Sequence, residues 1–199
     1  MGSETAVSDI DKRTRIPYGE GRQILIEAVI RLVARDGLSR LTTRSLTAEA
    51  GVSQGSLQHH FPTMPDILGA ALEHCVSITL SHVGRPTSIA SVFDELEGAF
   101  RSYPEESAFQ TEVFLEARRH PALLEVVTRH QEAYSDNLRT IIADLGLNPD
   151  EELVQLLMAF GDGIAYEYAM VGPAQLPRIE QQVSAMRRLL GAYVRDLDL

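Results

Sequence analysis

TTRSLTAEAGVSQGSLQHHFP, residues 42–62, has the spacing of two short helices that meet at one glycine. Thr42 and Thr43 carry side-chain oxygens able to accept from the otherwise unpaired amides of a first helical turn. Leu46 and Ala50, four residues apart, share one helix face. Gly51 stands where the chain must reverse, because glycine enters left-handed backbone conformations without a Cβ clash. Val52 then plugs the corner, Ser53 caps the second helix, Leu57 and Phe61 return to a core, and Pro62 ends the segment. Gln54, Gly55, Ser56, Gln58, His59 and His60 are left for solvent or a partner. A helix-turn-helix of this form makes double-stranded DNA the first partner to consider.

Upstream, a helix begins at Glu20. Leu25, Ala28, Val29 and Leu32 follow the i, i+3, i+4, i+7 pattern, and Gly37 ends it. This helix backs the other two and makes a three-helix module over residues 19–64. Residues 1–18 are polar and aperiodic and include Pro17, which reads as a flexible arm. Downstream, Thr63 and Asp66 have capping-box spacing for a fourth helix with apolar positions Leu68, Ala71, Leu72, Cys75 and Ile78. Five more helices fit residues 88–102, 105–119, 122–145, 151–171 and 175–197, separated by Pro, Gly or Asn breaks. No β pattern appears. The expected fold is all-α, with three helices followed by six over residues 65–199.

The 199 residues are 44% hydrophobic, enough to build a core. No apolar run approaches the roughly 18 residues of a membrane span. The acidic N-terminal stretch is unlike a secretory leader, so a cytoplasmic location and no membrane partner are expected. Cys75, the single cysteine, excludes an internal disulfide. The net charge of −10 is unevenly placed: residues 10–60 hold eight Lys or Arg against five Asp or Glu, whereas residues 61–199 hold ten against twenty-one. An acidic body repels phosphate and leaves the N-terminal module as the contact surface.

The run A-E-A-G-V-S-Q-G-S-L-x-H-x-F-P over residues 48–62 resembles the DNA-binding signature of TetR-family transcriptional regulators. The likeness is good over residues 20–72 and elsewhere lies in the helical layout. Two positions depart from the family pattern: Gln58 replaces the usual tyrosine, and Thr63, Met64 and Pro65 replace a region that usually holds a lysine. Both are positions that the family uses on the DNA backbone.

The resemblance implies a DNA-reading N-terminal domain and a helical ligand-binding and dimerisation domain. Gln54, Gln58 and His59 are the candidates for base or phosphate contact, with Thr42, Thr43, Arg44, Ser53, Gly55, Ser56 and His60 completing the DNA face. The family also holds an inducer in its second domain. There Phe93, Tyr103, Phe114, Arg118, Tyr134, Asp162 and Tyr166 supply aromatic surface with isolated polar anchors, suited to an apolar or aromatic small molecule. In residues 175–197 the positions Val183, Met186, Leu190, Tyr193 and Leu197 are spaced 3, 4, 3, 4, a seam that wants a helical partner. With the stripe Leu153, Leu156, Leu157, Phe160, Ile164, Tyr168 and Val171 of the preceding helix they form the expected homodimer interface, since the family pairs through its last two helices.

There is no Walker loop, dinucleotide fingerprint, H-E-x-x-H or G-x-S-x-G in the chain. Adjacent His59 and His60 point about 100° apart on a helix and do not suit a shared metal. No enzyme activity, metal or cofactor is expected. The reading is a ligand-responsive transcriptional regulator, a repressor released from a palindromic operator by a small molecule. The alternative is a helical small-molecule-binding protein without specific DNA binding.

Overall fold

The structure is a computed structural model that describes residues 20–83, 88 and 91–197. The expected arm, residues 1–18, lies outside the described residues. Nine α-helices occur among the described residues: α1 (Glu20–Asp36), α2 (Thr43–Ala50), α3 (Gln54–His60), α4 (Met64–Val83), α5 (Ser91–Ser102), α6 (Pro104–Ala117), α7 (Pro121–Asp144), α8 (Glu151–Val171) and α9 (Leu176–Leu197). Single 3₁₀ turns at Leu38–Arg40 and Gly172–Gln175 join α1 to α2 and α8 to α9.

Short polar side chains set the helix starts. Thr42 Oγ1 accepts from the Ser45 N–H at 3.0 Å while Ser45 Oγ accepts from the Thr42 N–H at 2.9 Å, so two orphan amides are satisfied at once. Ser53 Oγ accepts from the Ser56 N–H at 3.2 Å to open α3. At α4, Asp66 Oδ2 accepts from the Thr63 N–H at 2.8 Å, and Asp150 Oδ1 does the same for the Leu153 N–H at 2.8 Å on α8. Pro104 and Pro121 open α6 and α7, where a missing N–H costs nothing. Gly51, at φ 66° and ψ 25°, is left-handed; its N–H returns to Ala48 and that of Val52 to Thr47.

One buried cluster ties the front of the chain to its middle. Leu25, Ile26, Val29 and Val33 of α1 meet Leu46, Leu57 and Phe61 on one side and Phe109 and Val113 of α6 on the other. Ile67, Leu72 and Cys75 of α4 and Leu123 and Val127 of α7 continue the same cluster. It therefore runs across the expected boundary at residue 64. Cys75 is fully buried, and burial raises its thiol pKa, so it packs as a small hydrophobe. On the polar side, Arg35 meets Glu49 at 3.0 Å and Arg31 meets it at 3.4 Å, setting α2 against α1.

His130 of α7 is buried at the seam between α6 and α7. Its Nε2–H donates to Gln110 Oε1 at 2.9 Å, and Tyr134 donates its hydroxyl to the same oxygen at 3.3 Å. The imidazole packs edge-on against Phe114 and Tyr134, with ring centroids 5.1 and 4.9 Å away. Its Nδ1 makes no hydrogen bond of regular geometry among the described residues, and the Leu72 backbone opposes the effect of burial only in part. Burial therefore disfavours the charged ring, and the pKa falls to about 4.

A second cluster joins Phe100 of α5, Leu138 and Ile142 of α7, Leu153, Leu157 and Tyr168 of α8, and Ile179, Val183, Met186 and Leu190 of α9. This corrects the expected dimer seam. Leu153, Leu157, Val183, Met186 and Leu190 are each no more than 9% exposed inside one chain, and Phe160 is half-buried against the same cluster. Among the described seam positions of α9 only Tyr193 lies open, its hydroxyl donating to Asp150 at 3.2 Å, and the Leu197 side chain lies outside the described residues. Periodicity marks an apolar face but does not say whether the chain or a partner covers it. The uncovered large apolar groups on these helices are Leu156, Tyr166, Met170 and Val171 of α8 and Leu189 of α9.

Two outcomes follow. Gly51→Ala should cost about 1 to 2 kcal/mol in urea unfolding, because a Cβ is strained in left-handed backbone even though open space surrounds it, whereas Gly51→Asn should cost less. For His130, the unfolded ring at pKa 6.5 binds a proton more readily than the folded ring at about 4, so stability falls as pH drops from about 6.5 to about 4. The loss should approach about 3 kcal/mol. His130→Gln, which cannot titrate, should remove about one proton of uptake from the pH dependence of the urea midpoint; an unchanged dependence would place the acid sensitivity elsewhere.

Candidate nucleic-acid interface and internal cavity

The two anchors of α3, Leu57 and Phe61, are 4% and 5% exposed, and they fix which side of this short helix faces out. Gln54, Gly55, Gln58 and His59 are exposed, and Ser56 is half-buried. Glutamine is the residue type that bonds both the N6 amine and N7 of adenine in a major groove. Gly55 adds no bulk at the first turn, where an added Cβ would meet only Ser53 Oγ at 3.9 Å. Thr42 and Arg44 are exposed at the start of α2, and Thr43 is half-buried beside them. The hydroxyls of Thr42 and Ser53 already serve as helix caps.

His60 differs from its neighbours. It is half-buried against α1, where a Cβ on Gly21 would stand only 2.9 Å from its Nε2. A side chain at residue 21 would make the His60 ring swing aside, so in this arrangement the ring rests against α1. Several of the basic side chains counted in this module are engaged by neighbours within it. Lys12, Arg13 and Arg15 lie outside the described residues, Arg31 and Arg35 pair with Glu49, and Arg22 lies 5.2 Å from the Phe61 ring centroid. Arg40 and Arg44 are the other exposed cations.

Behind the module, α4, α5, α6, α7 and α8 enclose a cavity of about 320 Å³. Thr79 and Leu80 come from α4, Ala99 and Phe100 from α5, and Gln131, Tyr134, Asn137, Leu138 and Ile141 from α7. α6 presents Ser107, Gln110, Thr111, Phe114 and Leu115, a run at i, i+3, i+4, i+7, i+8 along one face. α8 closes the wall with Leu157, Met158, Gly161, Asp162, Ala165 and Tyr166. The volume falls at the small end of the range of about 300 to 1,000 Å³ common for small-molecule sites. Burial raises the pKa of the Tyr134 hydroxyl above its usual range and also raises that of the Asp162 carboxyl.

Of the seven residues expected around a ligand, Phe114, Tyr134, Asp162 and Tyr166 stand on this wall. Tyr103 and Arg118 do not; they flank α6, Pro104–Ala117, immediately outside its two ends. Tyr103 sits just before the helix at φ −131° and ψ 58°. Arg118 is exposed in a shallow recess with Glu112, Glu116 and Arg119. The Phe93 side chain lies outside the described residues. Gln110, Thr111 and Gln131 were missed; for Gln110 and Thr111 the available signal was their helical spacing with Ser107 and Phe114 on one face of α6, whereas Gln131 stands on α7.

Comparison with known proteins gives the arrangement a family. Residues 25–71 match the family model described as bacterial regulatory proteins, tetR family, and residues 87–196 match that of the tetracyclin repressor-like C-terminal domain. Among curated proteins, the nucleoid occlusion factor SlmA of Haemophilus influenzae is 32% identical over 122 residues, 61% of this chain and 50% of that protein. The chain thus spans half the length of the curated relatives it matches. Among solved structures, a transcriptional regulator from Rhodococcus sp. Rha1 superposes with TM-score 0.72 at 23% identity, covering 84% of this chain and 94% of that one. The multidrug binding protein EbrR, solved in complex with proflavin, superposes with TM-score 0.59 at 25% identity, over 85% and 99% of the two chains. The helix-turn-helix opening and the helical body behind it are those of a TetR-like fold, and the chain belongs to the TetR family of bacterial transcriptional regulators.

Proposed function

We propose that this DNA-binding regulator is a homodimeric repressor in the cytoplasm, released from a palindromic operator when a small molecule fills the cavity. The observation that carries this reading is the double duty of α6. One of its faces packs Phe109 and Val113 against α1 of the reading module, and the adjoining face lines the cavity. Glu112, between them, accepts from the Leu38 N–H at 3.5 Å. α4 joins the same two regions, with Ile67 in the module core and Thr79 at the cavity. A ligand that prefers one arrangement of α4 and α6 shifts the orientation of α3; one that binds both arrangements equally shifts nothing.

Paired recognition helices must sit near one DNA turn apart, about 34 to 36 Å, to enter successive major grooves. The uncovered row on α8, Leu156, Ala159, Gly163, Tyr166 and Met170, repeats at 4 and 3 residues and includes two small groups that allow close helix approach. With Leu189 of α9 it supplies the surface on which two copies pair.

Selection from a random duplex pool should return a palindrome; an absence of any preferred sequence would favour the helical binding protein without specific DNA binding. On the selected duplex, Arg44→Ala with Gln54→Ala should abolish specific retention at unchanged helicity. Arg44→Ala alone should lower the slope of log affinity against log salt by about one. For the pairing surface, Leu189→Asp should yield monomers by light scattering, because Leu189 is 66% exposed and the change leaves the core intact. An unchanged dimer would move the interface off this row.

A further inference from the structure

The described wall of the cavity is largely apolar and neutral, with one exception. Asp162 is its only charged side chain, and neither a cation nor a donor is bonded to the carboxylate among the described residues. It sits at the rim on α8, open to solvent on one side, and burial by the protein on the other side raises its pKa from the ordinary aspartate value. An ionised carboxylate held this way is partly stripped of water and lacks an internal counter-charge.

The groups around it suit a particular kind of occupant. Phe114, Tyr134 and Tyr166 present aromatic surface on the same wall, and ring faces attract cations electrostatically. Gln110 has its oxygen engaged by both His130 and Tyr134, and its amide donates to the Glu106 carbonyl at 3.3 Å, so it is fixed in place. An anionic ligand would meet Asp162 with no described lining cation to offset the repulsion. A neutral apolar ligand would leave the carboxylate desolvated and unpaired. A cation with an aromatic or apolar body relieves both penalties.

Resting on the reading of the cavity as an effector site, we propose that its ligands are organic cations with a flat apolar body, and that Asp162 is their counter-ion. The charge is met at the rim and the body lies between the aromatic walls.

The test uses the full chain without DNA, at pH 7.5, with three probes of nearly one shape: N-methylquinolinium, quinoline and naphthoate. Titration calorimetry should rank the cation tightest and the anion weakest. Asp162→Asn should weaken N-methylquinolinium by about tenfold while leaving quinoline within about twofold, and Asp162→Glu should restore most of the loss. Equal melting temperatures of the unliganded variants exclude a folding effect. A preference for naphthoate, a cation preference that survives Asp162→Asn, or no binding of any probe would each overturn the assignment. The regulator reading fails separately. Operator release by an anionic or neutral effector would preserve the regulator and overturn the counter-ion role; Asp162-dependent cation binding without release would do the reverse.

Discussion

Burial of α1 is the constraint on which the rest of the molecule depends. A helix of a small surface module commonly buries one stripe and leaves the other side to water. Here Leu25, Ile26, Ala28, Val29, Ile30, Leu32 and Val33 are all buried, which needs covering on more than one side. The helix-turn-helix supplies one cover through Leu46 and Leu57, and α6 supplies another through Phe109 and Val113. Neither partner can shift far without uncovering apolar surface at about 25 cal/mol per Å². Close packing also leaves α1 little freedom to absorb a displacement of α6 internally.

Much of this was legible in the sequence because it rests on local chemistry. Thr42, Gly51, Ser53 and the Thr63–Asp66 pair determine their helix ends through bonds that span three or four residues, and they occur where the spacing predicts. α8 begins and ends at the expected residues for the same reason: Asp150 caps it and Gly172 stops it. The family resemblance, carried by fifteen consecutive residues, was equally local. What was illegible depends on which surfaces meet. The apolar repeat in α9 was read as a seam for a second copy, whereas it lies in a cluster shared with α5, α7 and α8 of the same chain. Tyr103 and Arg118 do not line the cavity because both lie just beyond the ends of α6, and how far along a helix a cavity extends is not written in local spacing. The charge balance of the module already includes Glu49, but a count does not show that this one acid engages both Arg31 and Arg35.

The polar side chains beside the cavity form an ordered set instead of a scatter. Gln110 Oε1 accepts from both His130 and Tyr134, joining α6 to α7 through one amide oxygen. Such bonds are worth more where water is excluded, and leaving one unmade is correspondingly expensive. The arrangement holds the α6–α7 wall in register, so a ligand pressing on Phe114 or Tyr134 acts on a braced surface.

The cavity has one more consequence, for the lifetime of the protein in the cell. Apolar atoms that line a cavity lack the neighbours a packed interior would give them, and the folded state forgoes that dispersion energy. A molecule that fits restores it and stabilises the native chain by about 2.7 kcal/mol at a hundredfold excess over its dissociation constant. Quality-control proteases act on the fraction that opens, and differences of this size change abundance several-fold. The amount of protein present would then track its occupant, independently of any effect on the surface of α3.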